Sequence, residues 1–255
     1  MHVVVIYGWE KDTLEPVQAV AEALGIMAFE AQQRMIGGGP AVVAAFADPQ
    51  KALESAGNLK QKGITTLIVD AVEARNRPDR FIVHHFELGD SYLCVENQLQ
   101  QRAEIPYGEI DLLLTGRSVD VHSETKTVTE RKFDVGKTII TGGIPITKKV
   151  THQEKMTSEE HGRVFYLYAG NRPPFIFSQN RMIYDGLGTI MKPSREQNFY
   201  CLLSELRRRT PDAVFDDRLN TRAGIVRLLG PFLSPATNLD LAADILALSL
   251  RHIEP

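Results

Sequence analysis

The chain has 255 residues, of which 43% are hydrophobic and 24% charged, and a formal net charge of -3. Those values suit a folded globular protein of one large domain or two smaller ones and exclude a fibrous or disordered chain. The slightly acidic balance argues against a nucleic-acid binder, which carries a strongly basic domain. No apolar run approaches the roughly 18 residues of a membrane span. The N-terminus lacks the basic start and small-residue cleavage site of a signal peptide, so a cytoplasmic protein is expected. Cys94 and Cys201 have no disulfide or metal spacing and are expected to be buried thiols.

Residues 3–9 form a short apolar run rich in β-branched side chains, the pattern of a strand buried on both faces and central in its sheet. Thr13 can cap a helix with Val17, Val20, Ala21 and Leu24 at helical spacing, stopped by Gly25. A second helix over 29–36 offers Phe29, Met35 and Ile36 as apolar contacts and ends at Gly37-Gly38-Gly39-Pro40. Residues 41–46 read as the next strand. Asp48 and Pro49 then open a helix as N-cap and first-turn proline, with Ala52, Leu53, Ala56 and Leu59 as its core face and Gly63 as its end. Residues 65–70 complete a β-α-α-β-α-β unit over 1–74.

This unit resembles the C-terminal domain of the bacterial ribosomal stalk protein and the related fold of the N-end-rule protease adaptor. The resemblance rests on the helical pair over 17–36 bent at Leu24-Gly25, the Gly39-Pro40 turn, and the helix 49–62 ending in Gly63. Both relatives use the fold to hold other proteins, which implies a docking role. The stalk domain's lysine-rich binding helix has no counterpart, because residues 29–36 offer only Arg34.

Residues 72–79, with Arg75, Asn76, Arg77 and Pro78, are polar and helix-breaking, and mark the expected domain boundary. Beyond them the period becomes that of strands. Residues 81–88 and 92–96 flank a Gly89-Asp90 hairpin signal, 98–101 form a polar turn, and 118–126 alternate as a half-exposed strand. Strands over 163–169 and 175–178 are joined by the turn 170–174. Ser194, with Gln197 three residues on, starts a helix whose stripe is Phe199, Leu202, Leu203 and Leu206, and Arg207, Arg208 and Arg209 in its last turn read as surface charge. The fold class is therefore α+β: the small β-α-α-β-α-β domain, then a mostly antiparallel β-barrel-like domain with a C-terminal helix over 80–212. That second domain resembles a bacterial pleckstrin homology-like domain, on the segment 104–110 after a hairpin and the helix 195–209. It departs from that family by an inserted hairpin over 135–160, and the resemblance implies a binding or assembly module. A helical tail over 213–255 holds helices at 221–229 and 238–251, the latter capped by Asn238.

The insertion carries Ile139, Ile140, Ile144 and Ile146 beside Lys148 and Lys149. Apolar residues flanked by lysines suit contact with a protein partner or a membrane surface. Two lysines add only about 1 kcal/mol each near an anionic surface, which favours a hairpin folded back on the domain. In the tail, Leu239, Leu246 and Leu250 lie on an apolar stripe that must be buried against the chain itself or against a second copy. The triple glycine lacks the Lys and Ser or Thr of a phosphate loop, and no nucleophile elbow or Ser-His-Asp order is present. The seven histidines have no metal-ligand spacing, and Asp120, His122 and Glu124 fall on an exposed strand face. The reading is a non-enzymatic binding or scaffolding protein with an unknown protein partner, no cofactor and no metal. The alternative is a hydrolase with a site near His84, His122 and His161 at the domain junction, and a third is a module sensing a small ligand.

Overall fold

The computed structural model describes the backbone of residues 1–9, 15–133 and 147–251, and the side chains of 1–9, 16–118 and 162–251. It has two compact units: Met1–Ser118 with Gly162–Pro255, and Val119–His161.

The first unit begins with β1 (His2–Tyr7), α1 (Glu15–Leu24), α2 (Ala28–Met35), β2 (Ala41–Phe46), α3 (Pro49–Gln61) and β3 (Thr65–Asp70). The sheet order is β2-β1-β3, with β1 antiparallel to both neighbours. The uninterrupted run Val3 to Ile6 is fully buried because each face of the sheet is covered. Val4 and Ile6 pack with Val17, Val20, Ala31, Met35, Ala52 and Leu59 of the three helices. Val3 and Val5 turn to the other side, into a second core. Asp48 caps α3 by accepting from Gln50 N at 2.9 Å, with Pro49 in the first turn. The Thr13 cap lies outside the described residues. Three expected core residues are instead exposed: Phe29, Ile36 and Leu53. Ala31 and Met35 form the inner face of α2 in their place.

The first part of the expected linker, residues 72–75, is helical. Asp70 accepts from Val72 N and Glu73 N and so caps a short helix, α4 (Ala71–Arg75), whose Ala71 and Ala74 are buried. Then follow β4 (Phe81–Val83), β5 (His85–Leu88), β6 (Tyr92–Glu96), β7 (Arg102–Pro106), β8 (Ile110–Phe133), β9 (Thr147–Ala169) and β10 (Phe175–Ser178). The chain continues through α5 (Arg195–Arg209), β11 (Val214–Leu219), α6 (Arg222–Leu229) and α7 (Leu239–Arg251). The fold class is α+β. The strands form a three-stranded sheet β5-β6-β7 and a five-stranded sheet β11-β8-β9-β10-β4, which do not close into a barrel among the described residues. Pairing within the larger sheet is parallel at β10-β4 and at β11-β8.

Alternation along β8 and β9 explains how one sheet serves two cores. Leu113, Phe165 and Leu167 face the hairpin strands and the α5 stripe Phe199, Leu202, Leu203 and Leu206, with Phe165 stacked on Phe177 at 4.2 Å. Ser194 Oγ accepts from Gln197 N and fixes the start of α5. Leu112, Leu114, Val164, Tyr166 and Tyr168 face the opposite way, into the core that also holds Val3 and Val5. The C-terminal segment fills that core. Leu241, Ala242, Ala243, Ile245 and Leu246 of α7 lie between the two sheets, joined by Ile225, Leu228 and Leu229 of α6. Residues 213–251 are thus part of the body rather than an appended tail, and they contribute a strand, β11, that the sequence pattern did not announce. Cys94 and Cys201 are half-buried free thiols rather than buried ones.

The second unit includes residues 119–133 of β8 and 147–161 of β9, strands that are neighbours in the sheet. Its bounds, Val119–His161, are wider than the insertion expected at 135–160. Ile139, Ile140, Ile144 and Ile146 lie outside the described residues, and Lys148 and Lys149 fall on β9. No helix among the described residues is long and apolar enough to cross a membrane.

Candidate functional site

The most developed site is a cleft of about 640 Å³ in the first unit, built from five separate stretches of chain. Arg77 follows α4, Asp111 and Leu112 begin β8, and Tyr168 ends β9. The turn 170–174 gives Asn171, Arg172 and Pro174, β11 gives Val214, and α7 gives Asp244 from its middle and Leu248 and Arg251 from its last turn.

Beside the cleft lies an ionic network centred on two buried groups, Arg80 and Asp244. Arg80, 8% exposed, donates to the Ala74 carbonyl at 2.6 Å and to Asp244 at 3.1 Å, and also pairs with Asp240. Asp240 accepts from the Tyr166 hydroxyl at 2.8 Å. Asp240 and Asp244 stand one turn apart on α7, so a single guanidinium serves both carboxylates. Arg75 extends the clamp by donating to Asn238 Oδ1 at 3.0 and 2.7 Å, while Asn238 Nδ2 donates to the Ser234 carbonyl. That carboxamide therefore holds α4 to the start of α7 instead of acting as the expected cap. Burial pushes the Asp244 carboxyl up to about 6, against the pull of Arg80 and Arg77, because removal from water penalises the charged form more than the guanidiniums favour it.

At the cleft itself every guanidinium is held from one side. Arg77 is forked onto Asp79 at 3.2 Å, which holds the Asp79 carboxyl below its ordinary range. Arg172 binds the Glu104 carbonyl at 2.6 Å and Glu109 at 3.0 Å. Arg251 holds Asp111 and the Gly170 carbonyl. Burial raises the Tyr168 hydroxyl far above its ordinary value, and that hydroxyl has no hydrogen-bond partner among the described residues.

The residues singled out from sequence are distributed differently. Leu246 is fully buried in the chain's own core, with Leu239 and Leu250 packed against it. The stripe is consumed internally, and the expected contact of α7 with a partner or a second copy is corrected accordingly. Arg207 stacks over Phe215 at 4.0 Å, Arg208 pairs with Glu205 at 2.7 Å, and Arg209 lies 5.3 Å from the Tyr107 ring. Their cationic ends are engaged within the chain. His84 Nδ1 lies 2.7 Å from the Arg181 carbonyl and His85 Nε2 lies 2.8 Å from Asp185, and neither residue lines the cleft. The side chains of His122 and His161 lie outside those described. No group of three or more His, Cys, Asp or Glu side chains converges as a metal site among the described residues.

A second feature is a surface. Phe29 is 68% and Ile36 46% exposed, and Met27, just before α2, is 74% exposed. Phe29 and Ile36 are seven residues apart, so they share one face of the helical segment. Comparison with protein families, with curated proteins and with solved structures finds no match for the chain.

Proposed function

We propose that the chain is a non-enzymatic binding or scaffolding protein that holds another protein, with the β-α-α-β-α-β region as the docking element. The observation that carries this reading is the outward apolar face of the α2 segment: Phe29 and Ile36 lie in water, with Met27 exposed just before the helix, where the inner face is already complete with Ala31 and Met35. Large apolar side chains grouped on one face of a soluble domain mark an interaction surface. Two resemblances of architecture support the same reading, to the stalk and protease-adaptor domain for 1–74 and to pleckstrin homology-like domains for 80–212, since both kinds of domain recognise other molecules. A cytoplasmic setting and a second contact through Ile139, Ile140, Ile144, Ile146, Lys148 and Lys149, with a protein or a membrane surface, belong to the same proposal.

The test is affinity capture from the native cell with the full chain and with the double variant Phe29→Asp, Ile36→Asp. A protein retained by the parent chain and lost by the variant, with melting temperature preserved, is the expected result. Equal capture by both, or no specific capture by the parent, overturns the reading.

A further inference from the structure

We infer that residues 147–161 of β9 form a dimerisation edge, which pairs antiparallel with the same edge of a second copy of this chain. The edge is separate from the α2 face, so the docking reading and this one fail independently. Lys148 and Lys149, assigned above to a partner contact, thereby gain a second copy as that partner.

The larger sheet has strand left over. β8 and β9 are 24 and 23 residues long, whereas β10 has four residues and β11 six. β10 pairs with β9 at Val164–Leu167, and β11 pairs with β8 at Leu112–Gly116. Residues 119–133 and 147–161 therefore have no strand neighbour besides each other among the described residues, and no other described element belongs to their compact unit. Each stretch is about 50 Å long at about 3.3 Å per residue, and a two-stranded ribbon alone is marginally stable in water. Its apolar residues, Val119, Val121, Val128, Phe133, Val150 and Met156, are too few for a core. An open edge, with its row of backbone N–H and C=O groups, gains order by taking up another strand.

The charge sequence of β9 selects the occupant. A two-fold axis perpendicular to the sheet sets two copies of one edge antiparallel, with residues of the same face opposite each other. With Glu154 on the axis, Lys148 comes opposite Glu160 of the copy and Lys149 opposite Glu159 of the copy, and each pair occurs twice. Thr151 comes opposite Thr157, a favourable pairing across antiparallel strands. The overlap covers all of 147–161 and stops short of Val164, where β10 takes up the same edge. Glu154 beside its own copy is the single like-charged position of this register. Lysines on an edge ordinarily keep other strands away. Here they stand at one end and the glutamates at the other, so the parallel alignment sets lysine beside lysine and the antiparallel one neutralises both ends. The edge of β8 has a two-fold register of its own about Val128, with Glu124 opposite Lys132 and Lys126 opposite Glu130, but it spans only 123–133 of the described residues. The longer overlap favours β9.

The test is sedimentation equilibrium of the full chain at low salt, with two double variants of β9: Lys148→Glu with Lys149→Glu, and Glu159→Lys with Glu160→Lys. A reversible dimer is expected for the parent, weakened about tenfold or more by either double variant and also by added salt. An equimolar mixture of the two double variants should associate like the parent, because every reversed position then meets its complement, and this rescue shows that both variants are folded. Glu154→Gln should tighten the dimer, and the Phe29→Asp, Ile36→Asp variant should leave it unchanged. A parent that stays monomeric up to about 0.5 mM overturns the inference, as does a dimer that both β9 double variants retain or a mixture of folded variants that does not associate. A dimer broken by Glu124→Lys with Lys126→Glu but not by the β9 variants places the contact on β8 and overturns it equally, and loss in the α2 variant alone places it on α2. A dissociation constant unchanged or raised by Glu154→Gln contradicts the register.

Discussion

Asp244→Asn should leave the protein as stable as the parent or more so at pH 8, although it removes one side of a buried ion pair. Asp244 is 6% exposed and feels the charges of Arg80, Arg77 and Asp240, with Tyr168 also within its electrostatic reach. Its carboxyl is raised from the ordinary 3.8 to about 6, which at about 1.4 kcal/mol per pH unit amounts to about 3 kcal/mol. The folded state binds this proton more tightly than the unfolded chain does. The stabilisation is therefore fully present below pH 3.8 and is lost as pH rises through about 6. Asparagine imitates the neutral acid, and Arg80 keeps Asp240 and the Ala74 carbonyl as partners. Urea denaturation of both chains at intervals from pH 4 to 8 reads the difference directly. The difference curve should climb in favour of the variant between about pH 4 and 6.5 and then level off, by up to about 3 kcal/mol. Carboxylates held low at the surface, such as Asp70 and Asp79, slope the opposite way in both chains and cancel. Simple deletion of a buried pair predicts instead a loss of about 3–5 kcal/mol. A variant destabilised to that extent at pH 8, with the parent's pH slope intact, would refute the reasoning.

A Cβ added at Gly186 would lie 1.9 Å from the Phe86 carbonyl oxygen, a backbone atom that cannot swing away. Gly186→Ala should therefore cost about 3 kcal/mol or more, and a urea midpoint within error of the parent would show that the turn at Asp185–Ile190 yields. Burial raises the Cys94 thiol above its ordinary value, with Glu87 next in effect. In a Cys201→Ser background Cys94 should react with iodoacetamide at pH 8 more slowly than free cysteine, because less of it is thiolate; a faster reaction contradicts that environment.

Local chemistry was legible in the sequence where a few neighbouring residues suffice to decide a structure. Asp48-Pro49, Ser194 with Gln197, and Thr221 all start helices, because a side-chain oxygen meets a backbone N–H two or three residues on. The burial of Val3 to Ile6 on both faces was equally readable, but its second cover was not. Val3 and Val5 share their core with α7, which lies more than 230 residues away in the chain, and an apolar pattern states that a face is covered without naming the cover. The same limit explains Phe29, Ile36 and Leu53, whose spacing marks a stripe whether or not anything stands opposite it.

The cleft was hidden for a related reason, since no two of its five stretches are close enough in sequence to form a motif. Polar residues misled over 72–79, where charge resembled a solvated linker while Arg75 within it and Arg80 just beyond it are committed to Asn238, Asp240 and Asp244. One local mark did exist. In Leu239-Asp-Leu-Ala-Ala-Asp-Ile245 two acids stand four residues apart in an otherwise apolar helix. Asp240 sits at the first turn, where the helix dipole alone favours it. Asp244 lies mid-helix, flanked by Ala243 and Ile245, and a charge there is tolerable only with a buried cation opposite. The residue that reveals the site thus does so by a requirement, and any arginine in a segment read as a linker becomes the first place to look for its fulfilment.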